Sequence, residues 1–156
     1  MKKLISFFVV LGTAIGLSAC GGGGDSSTGG SNGNNPYAGS YIGTIQTTAT
    51  GFGVTETANH PAVVSITENG QVLADLLSDT GPAPNCSGVG LVYMNGNTFN
   101  DTDTYTCKDA TLGTCKITET NSGSVNGNVL SGRGNATLHC TVGGIYVRYT
   151  YKGTKQ

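Results

Sequence analysis

The sequence predicts an all-β fold, a small antiparallel meander that is closed as an up-and-down, lipocalin-like barrel or folded as a sandwich. Three observations lead to this prediction. From Pro36 onward, apolar residues alternate with Thr, Ser and Gly, which suits strands with one buried face. Asn-Gly pairs recur between these stretches, and no segment of this part has a long helical period. Four cysteines are spaced as in a domain stapled by two disulfides.

The strands and turns follow from this alternation in chain order. Short strands are expected at residues 41–45, 63–66, 72–77, 136–140 and 145–151. Tight hairpins are expected at the Asn-Gly pairs, because both residue types tolerate a positive φ. These pairs are Asn69-Gly70, Asn95-Gly96 and Asn126-Gly127, and Gly143-Gly144 separates the last two strands. In the last strand, alternation assigns one face to the core: Ile145, Val147, Tyr149 and Tyr151.

The chain begins with the pattern of an export signal. Lys2 and Lys3 precede a nearly unbroken apolar run over residues 4–17, and small residues follow the run. This is the layout of a secretory signal peptide, since the run is short for a transmembrane helix. The alternative is a short N-terminal membrane anchor that is never cleaved.

The tetrapeptide Leu17-Ser18-Ala19-Cys20 ends this signal. It resembles the lipobox of bacterial lipoproteins. The resemblance implies cleavage between Ala19 and Cys20, a diacylglyceryl group on the Cys20 thiol, and a further acyl chain such as palmitate on its new amino group. Gly21, in place of Asp, is similar to the outer-membrane-sorted class. Two or three acyl chains would tether the protein to the membrane without a spanning helix.

Three segments are therefore expected. Residues 1–19 are the lipoprotein signal peptide, and residues 20–35 are the lipidated cysteine with a Gly/Ser/Asn-rich flexible tether. Such a tether spans about 21 Å by random-coil scaling. Residues 36–156 form a single β domain, which the tether holds clear of the lipid surface.

With Cys20 assigned to lipid, an even set of four cysteines remains for disulfides: Cys86, Cys107, Cys115 and Cys140. The first two flank Asn95-Gly96 at nearly equal distances, and the last two flank Asn126-Gly127 in the same way. Folding back at each turn brings the flanking cysteines opposite each other, as disulfide geometry requires. The favoured pairing is Cys86–Cys107 with Cys115–Cys140. The alternative joins Cys107 to Cys115 and Cys86 to Cys140.

The sequence has no recognisable catalytic or metal-binding motif. His60 and His139 are expected to be solvated, and no Gly-x-Ser-x-Gly elbow supplies an activated serine. Residues 100–103 (Asn-Asp-Thr-Asp) carry oxygen ligands at alternate positions, but they lack the glycine and glutamate of a calcium loop and are expected to form an exposed turn. Zinc sites use close cysteine pairs that this chain lacks. We therefore expect no enzyme activity, no metal and no cofactor, although carboxylates paired in space leave a glycosidase site open.

Charge also limits the partners. After residue 19 the chain has six basic and nine acidic side chains, a net charge of −3. Nucleic-acid binding is not expected, because it needs a basic face for phosphates. The expected function is that of an outer-membrane-anchored envelope lipoprotein, periplasmic or surface-exposed, whose β domain binds an unknown protein or ligand or supports the envelope. Residues 50–59 and 79–85 are expected to be exposed loops that carry specificity.

Two alternative functions are consistent with this outline. Small lipid-anchored β-barrels with a disulfide resemble the C-type lysozyme inhibitor family, which inserts a loop bearing a serine and a basic residue into its target. Ser87-Gly88 is the corresponding Ser-Gly here. The other alternative is a lipocalin-like carrier of a small apolar ligand within the barrel.

Overall fold

The computed structural model describes residues 35–76, 85–109 and 111–156. In this part the chain is a curled, half-barrel sheet of nine antiparallel strands, and the all-β prediction is confirmed. The strands are β1 (Gly39–Gly51), β2 (Val54–Ile66), β3 (Gln71–Leu76), β4 (Asn85–Ser87), β5 (Val92–Tyr93), β6 (Thr98–Asp109), β7 (Gly113–Asn126), β8 (Val129–Cys140) and β9 (Gly143–Lys155). No helix within these three ranges is long and apolar enough to cross a membrane. The signal peptide, Cys20 and all but the last residue of the tether lie outside the described residues.

The strand order is β4-β6-β7-β8-β9-β1-β2-β3-β5. Two meanders, β6 to β9 and β1 to β3, are joined by pairing of the last strand with the first, from Tyr41 opposite Lys155 to Gly51 opposite Ile145. Near the other end of the strand order, β5 pairs with β3, and Asn95 forms an isolated bridge with Thr98 at the start of β6. The sheet is thus one curled layer rather than a sandwich of two.

Residues 50–59 are strand rather than loop, so the expectation of a specificity loop there is wrong. Phe52 and Gly53 form a two-residue turn with φ values of 53° and 77°, and β1 and β2 continue on either side of it. Phe52 is the only described non-glycine residue with a positive φ. Phenylalanine rarely adopts this conformation, so the sequence gives no turn signal at this position. The second expected loop, residues 79–85, lies outside the described residues except for Asn85, which begins β4.

Two of the three predicted Asn-Gly hairpins, at Asn126-Gly127 and Asn95-Gly96, are present with a shifted register, whereas Asn69-Gly70 lies in a longer loop closed by Thr67 and Gln71. Asn126 pairs with Val129, so the two turn residues are Gly127 and Asn128, and only the glycine has a positive φ. The Asn95-Thr98 bridge makes the same arrangement at Gly96. Both loops match the hairpin turn that requires glycine at its first central position alone.

The inner face of the sheet holds two apolar clusters. The first contains Tyr41, Ile45, Ala62, Val64, Ile66, Val72, Val92, Phe99, Val125, Leu130, Tyr149 and Tyr151. The second contains Ala49, Tyr105, Cys107, Leu112, Cys115, Ile117, Ala136, Leu138, Ile145 and Val147. The core face predicted for the last strand is confirmed, since all four of its residues lie in these clusters.

The four cysteines stand in one row across β4, β6, β7 and β8. Cys86 lies opposite Cys107, Cys107 opposite Cys115, and Cys115 opposite Cys140. The disulfides join the first and the last of these pairs, with Cα–Cα distances of 4.0 and 3.9 Å, and the favoured pairing is confirmed. A residue of an antiparallel strand exchanges hydrogen bonds with only one neighbour, so close pairs and wider pairs alternate along the row. The middle pair, Cys107 and Cys115, is therefore the wide, hydrogen-bonded one.

Candidate functional site

A buried polar cluster connects the two apolar clusters on the inner face. It consists of Tyr105, Glu119, Asn121 and Tyr149. The Tyr105 hydroxyl donates to Glu119 Oε2 over 2.9 Å, and the Tyr149 hydroxyl donates to Oε1 over 2.7 Å. The Asn121 amide donates to Oε1 over 3.3 Å, and its oxygen contacts the Tyr149 hydroxyl. Because Tyr105 and Tyr149 belong to different apolar clusters, the carboxyl group links the two halves of the core.

The sheet register assembles this cluster. Glu119 and Asn121 are two residues apart on β7, so they share the inner face. Gly134 on β8 stands between Asn121 and Tyr149, opposite both. An added Cβ at Gly134 would overlap the Tyr149 hydroxyl. The glycine thus leaves the space through which the Tyr149 ring crosses β8 to reach the carboxyl group.

Burial raises the pKa of Glu119 to about 7, from an ordinary value of 4.5. Hydrogen bonds from Tyr149, Tyr105 and Asn121 favour the charged form and therefore oppose this rise in pKa, but the effect of burial is larger. Burial also raises the pKa of Tyr149, and the nearby Glu119 carboxyl group adds to that rise. Glu119 is 2 % exposed, and both its oxygens are engaged by side chains. We assign the polar cluster a structural role, since it joins the two apolar clusters.

The raised pKa of Glu119 predicts that the free energy of unfolding depends on pH. Its folded pKa lies above its unfolded value, so between about pH 4.5 and 7 the folded state holds a proton that the unfolded state releases. The free energy of unfolding should therefore fall as pH rises through this window and level off above it, by on the order of 3 kcal/mol in all. Glu119→Gln should flatten the dependence and be more stable than the wild type at pH 8. Urea unfolding followed by circular dichroism at pH 5, 6, 7 and 8 measures this.

Glu68→Gln is the matched control for this experiment, because Glu68 is exposed in the turn between β2 and β3. It should keep the wild-type dependence on pH. An equal fall in stability for the wild type and Glu119→Gln would show that another group is responsible.

The residues singled out in the sequence are dispersed. His60 lies within β2 and is half-buried, so its predicted solvation is only partial, whereas His139 is exposed as predicted. The predicted turn at residues 100–103 is wrong: this segment is part of β6, and the Asp103 carboxylate there accepts the Gly90 amide proton. Ser87 ends β4, and Gly88 follows with a φ of 82°. In the described part of the chain, no group of three or more His, Cys, Asp or Glu side chains is placed to hold a metal ion.

The outer face carries an open groove of about 710 Å³ that the sequence did not reveal. We call it the outer groove. It runs across β7, β8, β9, β1 and β2, and its lining includes two adjacent rows of outward-facing side chains. The first row is Ser122, Arg133, Thr150, Gln46 and Asn59, and the second is Ser124, Ser131, Lys152 and Thr44. Gly123, Gly132 and Tyr151, which face inward between the rows, complete the lining.

The charges of the central strands are segregated between the two faces. The outer face of β7, β8, β9 and β1 carries four exposed cations: Lys116, Arg133, Arg148 and Lys152. Glu119 is the one acidic residue of these four strands, and it points into the core. The outer face of this central region is therefore cationic, with hydroxyl and amide side chains around the charges.

Comparisons with protein-family models, with curated proteins and with solved structures found no match to this chain.

Proposed function

We propose that this protein is a lipid-anchored lipoprotein of the bacterial cell envelope, whose β domain is a non-enzymatic binding module that uses the outer groove. The observation that carries the proposal is the contrast between the two faces. At the centre of the inner face the side chains are buried in the core and satisfy one another. The outer groove presents two cations among hydroxyl and amide groups, available to a ligand.

The anchor part of the proposal rests on the lipobox residues 17–20. We expect the full chain, expressed in a Gram-negative host, to incorporate an alkyne-labelled fatty acid and to sediment with membranes. Cys20→Ser should abolish the label and release the protein, because a chain without acyl groups has no apolar anchor. The double variant Cys115→Ser/Cys140→Ser is the control, since it also replaces cysteine with serine, leaves no unpaired thiol in the domain and keeps the lipobox intact. Label retained by Cys20→Ser would contradict the anchor.

We test the binding role with glycans, because sugar hydroxyl groups match the hydroxyl and amide side chains of the outer groove. Full-length protein in detergent is applied to an array of neutral and acidic glycans. Binding should be reproducible, and it should be lost in the double variant Arg133→Glu/Lys152→Glu, whose changes lie on an exposed face and leave the core intact. No binding to any glycan, or binding that charge reversal leaves unchanged, would contradict the proposal. A hydrolytic activity of the purified protein on the arrayed glycans would equally contradict a non-enzymatic role.

A further inference from the structure

We infer that the ligand of the outer groove is an anionic polysaccharide. This inference rests on the proposed function and names the chemical class that the groove accepts. Three features of the groove lead to it: its charge, its hydrogen-bonding groups and its length.

The charge of the groove comes from Arg133 and Lys152. Arg133 lies opposite Thr150, and Lys152 is two residues further along the same strand, so the two cations are diagonal neighbours. Diagonal positions of a sheet are about 7–8 Å apart, within reach of one another for long side chains. Since the outer face of the four central strands carries no carboxylate, no anionic side chain on these strands offsets the repulsion between the two charges. An anionic group placed between them removes that repulsion, and the Arg133 fork can grip a carboxylate or sulfate with two parallel bonds.

The remaining groove side chains are neutral and polar. They are Thr44, Gln46, Asn59, Ser122, Ser124, Ser131 and Thr150. Hydroxyl and amide groups both donate and accept hydrogen bonds, which matches the sugar hydroxyl groups, since these do the same. The first row is continuous across five strands and the second across four, so donors and acceptors are present along the whole groove.

The groove is long enough for a linear polymer of several sugar rings. Five strands at the usual spacing of about 4.8 Å span roughly 19 Å, measured across the strands. A single small anion would occupy only the part around Arg133 and Lys152, which lie on the second and third of the five strands. A linear polymer of several sugar rings extends from these cations over β1 to Asn59 on β2.

Single-stranded nucleic acid and protein partners fit the outer groove less well than an anionic polysaccharide. Single-stranded nucleic acid is held by exposed aromatic side chains and many cations. In the groove the only aromatic residue is Tyr151, which is 7 % exposed. Tyr146 is on the same face but outside the groove, with the Arg148 guanidinium 5.2 Å from its ring centroid. A protein partner needs apolar anchors at the centre of its interface, and the outward-facing side chains of the groove are all polar.

The test compares three polymers binding to immobilised full-length protein in detergent: polygalacturonate, dextran and polyglutamate. Polygalacturonate should bind, and its affinity should fall as salt is raised. Dextran, which has the hydroxyl groups without the charge, and polyglutamate, which has the charge without the sugar, should each bind at least about tenfold more weakly.

Two double variants separate the groove from the general charge of the face. Arg133→Gln/Lys152→Gln should weaken polygalacturonate binding about tenfold or more. Lys108→Gln/Lys116→Gln removes the same charge from exposed positions outside the groove and should change it less than twofold. All four lysines and arginines are exposed, so circular dichroism should show an unchanged fold for both variants.

Each contrary result overturns the inference in a different way. Equal binding of polyglutamate, or equal losses in the two double variants, would mean nonspecific attraction of polyanions. Equal binding of dextran would reject an anionic ligand while leaving the proposed binding role of the outer groove in place. Failure of all three polymers would overturn the inference. The proposed function would fall with it only if the glycan array also showed no binding.

Discussion

Gly43→Ala is expected to lower the free energy of unfolding by about 3–4 kcal/mol, the largest effect of any single substitution considered for this domain. Gly43 lies opposite Gly153 where the first strand pairs with the last. A Cβ at Gly43 would overlap the carbonyl oxygen of Lys152 and lie 2.5 Å from the Gly153 Cα. Because both obstacles are backbone atoms of a central strand, no side-chain rotation can relieve the clash.

Gly132→Ala is the matched control for this substitution. Gly132 also lies on a central strand, but its added Cβ would be 3.4 Å from the Ser122 carbonyl oxygen and 3.6 Å from the Phe99 ring. A small neighbouring shift accommodates these contacts, so we expect a change of less than about 1 kcal/mol. Urea unfolding followed by circular dichroism measures both variants. Similar midpoints for the two would show that β1 and β9 are not in close contact at Gly43 and Gly153.

Removal of either disulfide is expected to cost about 3 kcal/mol. Each disulfide closes a loop of similar length, since the sequence separations are 21 and 25. Because a disulfide acts mainly by restricting the unfolded chain, the two removals should lower the free energy of unfolding by nearly equal amounts. Replacing both cysteines of a pair with serine avoids a free thiol. The double variants Cys86→Ser/Cys107→Ser and Cys115→Ser/Cys140→Ser are compared with the wild type by urea unfolding.

The two disulfides should differ in their local effects. Cys86–Cys107 fastens β4, which has only three residues and pairs with β6 alone. Cys115–Cys140 is the last of the twelve residue pairs that hold the long β7–β8 ladder together, at the end away from the turn. Hydrogen exchange should therefore increase at residues 85–87 when the first bridge is lost and remain slow in β7 and β8 when the second is lost. Fast exchange throughout β7 and β8 in the second variant would contradict this.

The proposals assign different tasks to the two faces of the sheet. On the inner face, disulfides and aromatic rings stabilise a domain with few charges, and the buried Glu119 cluster joins the two halves of its core. On the outer face, the side chains contribute little to the core and are free to contact a ligand.

Local signals in the sequence determined the fold class and the disulfides. Strand alternation depends on neighbouring residues, so it correctly placed Ile145 and Tyr151 on the core face. The cysteine pairing followed from the near-symmetry of each pair about its turn. The predicted pairing is correct even though the segment between Cys86 and Asn95 does not form one continuous strand: β4 pairs with β6, whereas β5 pairs with β3. The turn at Phe52-Gly53 was missed because its first residue lacks the usual preference for a positive φ.

Only the tertiary structure decided which distant residues meet. The pairing of β9 with β1 joins segments about a hundred residues apart, and no local pattern encodes its register. That register aligns Arg133 and Thr150 with Gln46 in one row and Lys152 with Thr44 in the next. It is also tertiary folding that buries Glu119 beneath Tyr105 and Tyr149, whereas in the sequence it was one of several scattered acidic residues. Alternation and turns follow from short-range backbone preferences, but registers between distant strands depend on the packing of the whole core.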